Sequence, residues 1–263
     1  MTRFTLPKIL GATATAAALA LAAPVASAHA AAGPDIVGGG SASQTYSFMV
    51  SLQDSNGHEC GASLISPTWA VTAAHCVDGS SAADFTVRVG STDRTNGGEV
   101  SAVSQFIPHP SYNSASGNNY DIALIQLATP VQATPIGIAD SSPAVGTAIR
   151  LLGWGQEQPQ RGADNGPDQL KELDTSVVGS GCAEGFDAHS ELCVNNPQGP
   201  DGSNQGACYG DSGGPAVAQV AGAWRLVGAT SRAGSADSTC AVAPSIYTDV
   251  TAYRDFIRSN AGI

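Results

Sequence analysis

One serine of the chain lies in a setting typical of a nucleophile, at position 212 in the string Gly-Asp-Ser-Gly-Gly-Pro of residues 210–215. A serine hydroxyl is a weak nucleophile, and it needs a neighbouring base and hydrogen-bond donors for the oxyanion that its attack creates. Glycines around it let the backbone turn tightly and aim two N–H groups at one point. A glycine-rich turn is the alternative interpretation, and the complete string favours the nucleophile.

A histidine and an aspartate supply the other groups that such a serine needs. His75 follows an apolar run and precedes Cys76, whose disulfide would fix the backbone beside the imidazole. Imidazole titrates near neutral pH and therefore suits a general base. Asp121 stands at the head of an apolar run, where a buried carboxylate is costly unless it is paired, and a partner imidazole would justify its burial. Taken singly, the two residues have ordinary structural interpretations, as a structural histidine and a solvated aspartate.

Short apolar runs between turn residues must position these side chains. Their length and β-branched character predict strands over residues 47–53, 63–65, 69–72, 85–89, 121–127, 148–153, 216–220, 224–229 and 246–249. Helical spacing is convincing only for Tyr253, Phe256 and Ile257, after a cap at Asp249 or Thr251. The pattern predicts an all-β chain, a barrel or a sandwich, with surface loops over residues 113–119 and 156–168.

Composition bounds the class of protein. The 263 residues are 42% hydrophobic and 13% charged, which is typical of a globular chain of one large domain or two small ones. The formal net charge is −11 and no run of Lys or Arg occurs, so we expect no nucleic-acid partner.

The first residues have the pattern of an export signal. Arg3 and Lys8 precede an apolar, alanine-rich run over residues 9–23, and the small-residue motif Ala26-Ser27-Ala28 follows. This predicts a signal peptide over residues 1–28, with a cut after Ala30 as the alternative. The run is shorter than the roughly 20 residues needed to span a bilayer. We therefore expect a secreted, extracellular protein whose mature form has no membrane segment.

Six cysteines follow the export signal. An even number in an oxidising compartment predicts disulfides, and the spacing alone allows about 15 connectivities. No Cys-x-x-Cys motif occurs, so we expect no metal site of that kind. The cysteines are Cys60, Cys76, Cys182, Cys193, Cys208 and Cys240.

Together these motifs resemble the trypsin/chymotrypsin family of serine endopeptidases. The resemblance rests on the order of His75, Asp121 and Ser212 and on three further strings, and it covers residues 36 to about 260. The strings are Ile-Val-Gly-Gly at 36–39, Gly-Trp-Gly at 153–155 and Pro-Ser-Ile-Tyr-Thr at 244–248. It implies a peptidase domain over residues 36–263 with two antiparallel six-stranded β-barrels, at about 36–135 and 136–250, and a C-terminal α-helix at about 250–260.

The resemblance also implies a role for each residue of the site. Ser212 attacks the scissile carbonyl, His75 takes and returns the proton, and Asp121 stabilises the imidazolium. The N–H groups of Gly210 and Ser212 form the oxyanion hole. The implied disulfides are Cys60–Cys76, Cys182–Cys193 and Cys208–Cys240.

Activation follows from the same resemblance. Residues 29–35 are a propeptide whose removal frees the amine of Ile36, and this amine pairs with Asp211. Asp35 precedes the cut where many family precursors have Arg or Lys, so we expect an activating peptidase that is not trypsin-like.

Specificity is expected to come from the pocket that receives the side chain before the cut bond. The matching floor residue is the uncharged Gly206 and the wall residues are Ala233 and Ser245, which predicts a preference for apolar side chains. Ser231 and Arg232 border the substrate, and Arg232 is expected to favour an acidic side chain further upstream. Basic specificity is the alternative, through the loop carboxylates of Asp237 or Asp201.

The remaining expectations concern partners and source. Peptide or protein substrates, protein inhibitors and the activating peptidase are the expected partners of a monomer without a cofactor. The loop over residues 90–99 keeps Asp93 and Glu99 but lacks the family's usual first Glu, so we expect no calcium. The alanine-rich export signal suits a bacterial source. A catalytically inactive homologue acting as a binding protein and an extracellular β-sandwich adhesion module are the competing functions.

Overall fold

The computed structural model describes residues 1–5, 36–116, 119–183 and 185–263. Its contacts divide the chain into two units, residues 1–31 and residues 32–263. The expected signal peptide and propeptide fall almost entirely on residues 6–35, outside the described residues, and both stay predictions. No helix among the described residues has the length and apolar character required to cross a bilayer.

The described residues form fourteen strands and one short α-helix. The strands are β1 (Gly40–Ser41), β2 (Met49–Asp54), β3 (Gly57–Ser66), β4 (Trp69–Thr72), β5 (Thr86–Val89), β6 (Glu99–Pro108), β7 (Ala123–Leu127), β8 (Gly137–Ile138), β9 (Ala148–Gly153), β10 (Lys171–Ser176), β11 (Glu191–Val194), β12 (Pro215–Val220), β13 (Ala223–Ala233) and β14 (Ser245–Asp249). Helix α1 spans Arg254–Ala261.

The first half of the fold is a closed antiparallel barrel in the order β2, β3, β4, β7, β6, β5. Closure leaves no free strand edge, and the apolar side chains of alternate positions fill the interior. Val50, Leu52 and Leu64 are fully buried there. The barrel therefore gives a rigid frame to the segments that follow β4 and precede β7, where His75 and Asp121 lie.

The second half is a sheet of eight strands in the order β1, β10, β9, β12, β13, β14, β11, with β8 beside β13. This differs from the six strands expected for residues 136–250 in two ways. The N-terminal strand β1 pairs with β10, so a segment from before residue 136 joins the sheet. Strand β8 adds a parallel pair, with Leu226 opposite Ile138. The mostly β architecture with a C-terminal helix agrees with the fold that the resemblance implies.

Strand bounds differ from the predicted ones where side chains are polar. Strand β7 begins at Ala123 rather than at Asp121, because Asp121 leaves the ladder to bind His75. The sequence did not predict β1, β6, β8, β10 and β11. Strand β6 buries only Ser101 and Val103 and interrupts its apolar residues with Ser, Ala and Gln, and β10 is mainly polar. Their pairing comes from neighbouring strands rather than from local sequence.

The C-terminal segment begins as a 3₁₀ turn over Val250–Tyr253 and continues as α1. Asp249 caps it by accepting hydrogen bonds from the N–H and hydroxyl of Thr251, at 2.9 and 2.6 Å. Ile257 buries the apolar face of the helix in the same core cluster as the first barrel. The expected start at about residue 250 is thus the 3₁₀ turn, and the α-helix itself begins four residues later.

Three disulfides fasten the loops around the two halves. They join Cys60 to Cys76, Cys182 to Cys193 and Cys208 to Cys240, which are the pairs that the resemblance implies. A disulfide of this kind typically stabilises a fold by about 2–4 kcal/mol. The first two cysteines bring the end of β4 against β3, beside His75.

Candidate active site

His75 lies on a single 3₁₀ turn, Ala74–Cys76, directly after the buried strand β4. The neighbouring Cys76 is bonded to Cys60 of β3, so the backbone on the C-terminal side of the imidazole is fixed covalently. The side chain remains 26% exposed while its partner Asp121 is fully buried. The ring therefore presents one edge to the carboxylate and keeps the other for a ligand.

The carboxylate of Asp121 accepts three hydrogen bonds. Its Oδ1 accepts from the backbone N–H of His75 at 2.9 Å, and its Oδ2 lies 2.7 Å from Nδ1 of the same residue. The hydroxyl of Ser231 donates to Oδ2, also at 2.7 Å. Thr248 donates to the Asp121 carbonyl at 2.7 Å. This set satisfies a buried charge and fixes the His75 ring with Nδ1 toward the carboxylate.

Ser212 lies in the loop before β12 and borders the same cleft as His75. Its carbonyl accepts from the N–H of Gly61 in β3 at 2.8 Å, which ties the loop to the first barrel. Within the described residues, no hydrogen bond joins the Ser212 hydroxyl to His75. Catalytic hydrogen bonds are often long before substrate binds, so this geometry is compatible with a nucleophile and its base.

Gly213 allows this loop its close approach to the first barrel. Its φ of +73° is one that side chains rarely adopt. A Cβ at this position would overlap Thr72 Oγ1 and the carbonyl oxygen of Gly61. The glycine after the serine is therefore required by backbone conformation and by space.

Asp211 is buried directly behind Ser212. Its carboxylate accepts from the N–H groups of Gly155 and Cys208, both at 2.8 Å. Burial is the main influence on this group, and it raises the pKa of Asp211 to about 6. A Cβ on Gly155 would overlap the carboxylate, which explains the glycine at that position of the Gly-Trp-Gly string. Ile36, the residue expected to pair with Asp211, is 1% exposed.

A cavity of about 330 Å³ opens beside Ser212. Small apolar and hydroxyl side chains make up most of its lining, among them Ala207, Thr230, Ala233, Ala241, Val242 and Ser245. The disulfide Cys208–Cys240 borders it, and the carboxylate-bearing residue on its wall is Asp237. Asp201, the other acidic candidate, lines a separate cavity with Val37 and Glu157.

Gly206, which the sequence assigned to the floor of the pocket, is buried and does not line this cavity. A Cβ at Gly206 would lie 2.5 Å from Nδ2 of Asn196. The amide of Asn196 thus occupies the space that a longer floor residue would fill. Both polar atoms of this amide are buried without a hydrogen-bond partner among the described residues. Asn196 is likewise absent from the lining of the cavity, so the position that the sequence assigned to the floor lies outside it.

Ser231 and Arg232 differ from their expected roles. The Ser231 side chain is 5% exposed and binds Asp121 rather than facing the cleft. Arg232 lines the cavity, but its guanidinium forms an ion pair with Glu191 at 2.6 Å. Because this cation is already neutralised and largely buried, the expected attraction for an acidic substrate side chain is not supported.

A second cleft of about 1040 Å³ is bordered by both Ser212 and His75. Charged residues of both signs border it, including Glu59, Arg88, Arg94, Arg161, Asp164 and Asp168. Arg161 lies over the ring of Tyr209, with its guanidinium carbon 5.2 Å from the ring centre. Tyr209 and Ser212 line both cavities, so the two form one groove across the serine.

No cluster with the donor set of a metal site stands out in the described part of the chain. The one group with suitable spacing is Cys60, Cys76 and His75, and its two sulfurs are bonded to each other. In the loop over residues 90–99, the Glu99 carboxylate accepts from the N–H groups of Gln132 and Ala133. Arg88 donates to the Gly97 carbonyl in the same loop at 2.5 Å.

Residues 36–257 match the family described as Trypsin. The chain belongs to the trypsin family. The match covers both halves of the fold and every residue of the site described above. As a member of this family, the chain is a serine endopeptidase.

Three relatives of the chain agree with this assignment. The chain is 36% identical to "Trypsin alpha" of Drosophila erecta over 231 residues, covering 85% of this chain and 86% of that protein. It is 37% identical to "Trypsin delta" of Drosophila melanogaster over 231 residues, covering 85% and 87%. It is 34% identical to "Fibrinolytic enzyme, isozyme C" of Lumbricus rubellus over 251 residues, covering 86% and 100%. These insect and earthworm relatives give no support to a bacterial source.

The trypsin-family site also contains residues that the sequence analysis did not single out. His58 of β3 is partly buried, with Nδ1 2.8 Å from the Ser51 hydroxyl and Nε2 3.0 Å from the Gly210 carbonyl oxygen. Burial lowers the pKa of His58 to about 4, so this imidazole is neutral and supports the loop that carries Ser212. Asn196 and Glu191 are two further residues that the sequence did not indicate. Their positions depend on contacts between distant segments, which no local motif signals.

Proposed function

We propose that this trypsin-family endopeptidase hydrolyses peptide bonds through an acyl-enzyme, with Ser212 as nucleophile, His75 as general base and Asp121 as the orienting carboxylate. The observation that carries the proposal is the bond of 2.7 Å between Asp121 Oδ2 and His75 Nδ1 in a cleft that Ser212 also lines. With Nδ1 held by the carboxylate, Nε2 is left to accept the serine proton.

The steps follow from these positions. Ser212 Oγ attacks the carbonyl carbon while His75 takes the hydroxyl proton, and the leaving amine departs with that proton. Water then attacks the carbonyl carbon of the acyl ester. His75 takes a proton from this water and returns it to Ser212 Oγ, and the acid product leaves. The backbone N–H groups of Gly210 and Ser212 are the donors for the oxyanion, and each such donor is worth about 3–4 kcal/mol of the barrier.

Activation is proposed to depend on a cut before Ile36. The new ammonium at residue 36 would pair with Asp211, whose carboxylate is buried beside the nucleophile. Cutting after Asp35 requires an activating peptidase that accepts an acidic residue before the cut bond rather than Arg or Lys. The export pattern over residues 1–28 supports secretion of the precursor, and protein inhibitors are proposed as partners of the monomeric mature enzyme.

The proposed preference is for apolar side chains before the cut bond. The cavity beside Ser212 has walls of Ala233 and Ser245 and is lined mostly by small apolar and hydroxyl side chains. An Arg or Lys side chain buried in this cavity away from Asp237 would lose its water without gaining a carboxylate. Ala233 and Ser245 also narrow the pocket against the largest aromatic side chains.

Basic specificity is the second candidate, and a specific observation favours it. Asp237 lines the cavity, and relatives of the chain carry the name trypsin. Asp237 is exposed, and its Oδ1 accepts from the N–H of Thr239 at 2.8 Å. A basic side chain that reaches it must stay near the mouth of the pocket.

A cleavage profile tests these proposals. The chain beginning at Ile36 is assayed on p-nitroanilide peptides ending in Ala, Val, Leu, Phe, Glu, Arg or Lys, with Ser212→Ala as the inactive control. Preference for Leu, Val, Ala or Phe supports the apolar pocket. If Arg or Lys is preferred and this preference is lost in Asp237→Asn, the basic specificity comes from the Asp237 carboxylate. Folded protein that neither cleaves any substrate nor reacts with a fluorophosphonate would be a binding protein rather than an enzyme.

A further inference from the structure

We propose that Arg232 and Glu191 form a charge-balanced positioning pair that supports the Ser231–Asp121 hydrogen bond and sets the electrostatic environment of the triad. This inference rests on the proposed catalytic role of His75, Asp121 and Ser212. Neither residue of the pair touches the substrate bond, and both act through Ser231.

The pair is bidentate and largely buried. Arg232 Nη1 lies 2.6 Å from Glu191 Oε1, and Nη2 lies 3.1 Å from Oε2. The exposed fractions of the two side chains are 12% and 3%. Parallel contacts of this kind fix the guanidinium plane as well as its position. The N–H of Asp187 also donates to Glu191 Oε2, at 2.9 Å.

A single hydroxyl connects this pair to the triad. Arg232 Nη1 donates to Ser231 Oγ at 3.4 Å, and the same oxygen donates to Asp121 Oδ2 at 2.7 Å. The hydroxyl accepts from a cation and donates to a carboxylate, so the two bonds polarise each other in the same direction. The guanidinium thereby orients the hydroxyl proton toward Asp121.

A bulge in β13 makes this arrangement possible. The register between β13 and β14 shifts between Thr230 and Arg232, with Tyr247 opposite the former and Ile246 opposite the latter. Neighbouring side chains of a regular strand point to opposite faces. The bulge re-aims them, so Ser231 and Arg232 reach the same side of the sheet.

Charge balance gives the pair an effect with a defined sign. The neutral pair adds little net charge near His75. A guanidinium does not lose its proton in proteins, so removal of the Glu191 charge leaves a cation close to the Asp121–His75 couple. That cation disfavours protonated His75, and activity should therefore persist to lower pH.

Other titratable groups face these two sites from the elements packed against them. They are Asp78, His109, Tyr112, Asp187, His189 and Tyr253. Burial raises the pKa of Tyr112 and of Tyr253 to about 12, which removes them from the working range. The variants described next leave all six in place.

The test is the low-pH limb of the kcat/KM profile in the chain beginning at Ile36. In Glu191→Gln this limb should move to lower pH by about 0.5–1 unit. In the double variant Glu191→Gln/Arg232→Gln it should return to the parent position, because both charges are gone. Glu172→Gln is the matched control, since it removes a charge paired with Arg150 at 3.0 Å in another part of the sheet, and its limb should not move.

Three results separate the possible failures. Parent protein without peptidase activity or fluorophosphonate labelling defeats the proposed function. If the parent is active but the low-pH limb of Glu191→Gln does not move, this inference alone is overturned. The same holds if the limb of the double variant moves as far as that of the single variant. If Glu191→Gln does not fold, Arg232→Gln tests the same pair: it leaves the Glu191 carboxylate without its cation, so the low-pH limb should move to higher pH, and an unmoved limb overturns the proposal.

Discussion

At the residue scale, Asp121 is the most constrained group of the site. It is 1% exposed, and both carboxylate oxygens accept hydrogen bonds, one of them from the ring of His75. A buried anion of this kind holds the imidazole in one orientation and stabilises its protonated form. The same oxygen that binds the ring accepts from Ser231, so the ring position depends on a residue 110 positions away in sequence.

Replacing Asp121 by Asn should lower kcat by about ten-thousand-fold with little change in KM. The amide keeps the shape but presents an N–H where the ring needs an acceptor, so the tautomer of His75 is wrong for proton transfer. Steady-state kinetics on the preferred p-nitroanilide measures the effect, and thermal unfolding checks that the fold survives. A variant that keeps more than a tenth of the parent kcat would contradict the assigned role.

At the element scale, the loop that carries Ser212 is positioned by its contacts with β3 and β4. The N–H of Gly61 donates to the Ser212 carbonyl. Gly213 packs against the carbonyl oxygen of Gly61 and the hydroxyl oxygen of Thr72. The N–H of Gly213 donates to the Thr230 carbonyl of β13 at 2.8 Å. Ser212 therefore lies where the two halves of the fold meet, and both halves determine its position.

Gly213→Ala should destabilise the fold by about 2 kcal/mol or more beyond its matched control, Gly222→Ala, and should abolish activity. Both glycines have positive φ, +73° and +78°, so both substitutions carry backbone strain of about 1 kcal/mol. A Cβ at Gly222 meets no atom, whereas one at Gly213 overlaps Thr72 and Gly61. Urea unfolding and fluorophosphonate labelling measure the difference. Equal losses in the two variants would mean that strain alone, without the close contact, sets the cost.

At the scale of the whole molecule, Asp211 connects the proposed activation to the stability of the uncut chain. Burial raises its pKa from 3.8 to about 6. A carboxyl whose folded-state pKa is raised contributes stability below its unfolded pKa, and this contribution is lost as pH rises through the folded pKa. The uncut chain, whose residue 36 brings only an amide, should lose stability from about pH 4 to pH 6. An ammonium at Ile36 offsets this loss.

To test this, the pH dependence of unfolding is compared in two proteins, the full-length precursor and the chain beginning at Ile36. Both carry Ser212→Ala to prevent self-cleavage. Between pH 4 and pH 7 the precursor should lose on the order of 3 kcal/mol more unfolding free energy than the shorter chain. Urea denaturation at each pH measures it. Asp211→Asn should remove the difference. Parallel pH dependences in the two proteins would count against the Ile36–Asp211 pair.

The sequence by itself determined the chemistry and the family. The Ser212 string, the His75 and Asp121 segments and their order depend on local backbone and on residue type, so they are readable before the chain folds. The apolar runs gave most of the first-barrel strands and the C-terminal segment for the same reason. Strands β6 and β10 escaped because their polar residues are held by neighbours and not by their own pattern.

Only the tertiary structure decided which side chains meet. It joined Ser231 to Asp121 rather than to the substrate cleft, paired Arg232 with Glu191, and placed the amide of Asn196 beside Gly206. It also showed that His58 supports the Gly210 carbonyl. These contacts join residues far apart in sequence across a bulge, two sheets and a disulfide-bonded loop. Their energies depend on distance and burial, which the order of residues does not specify until the two halves of the fold have packed.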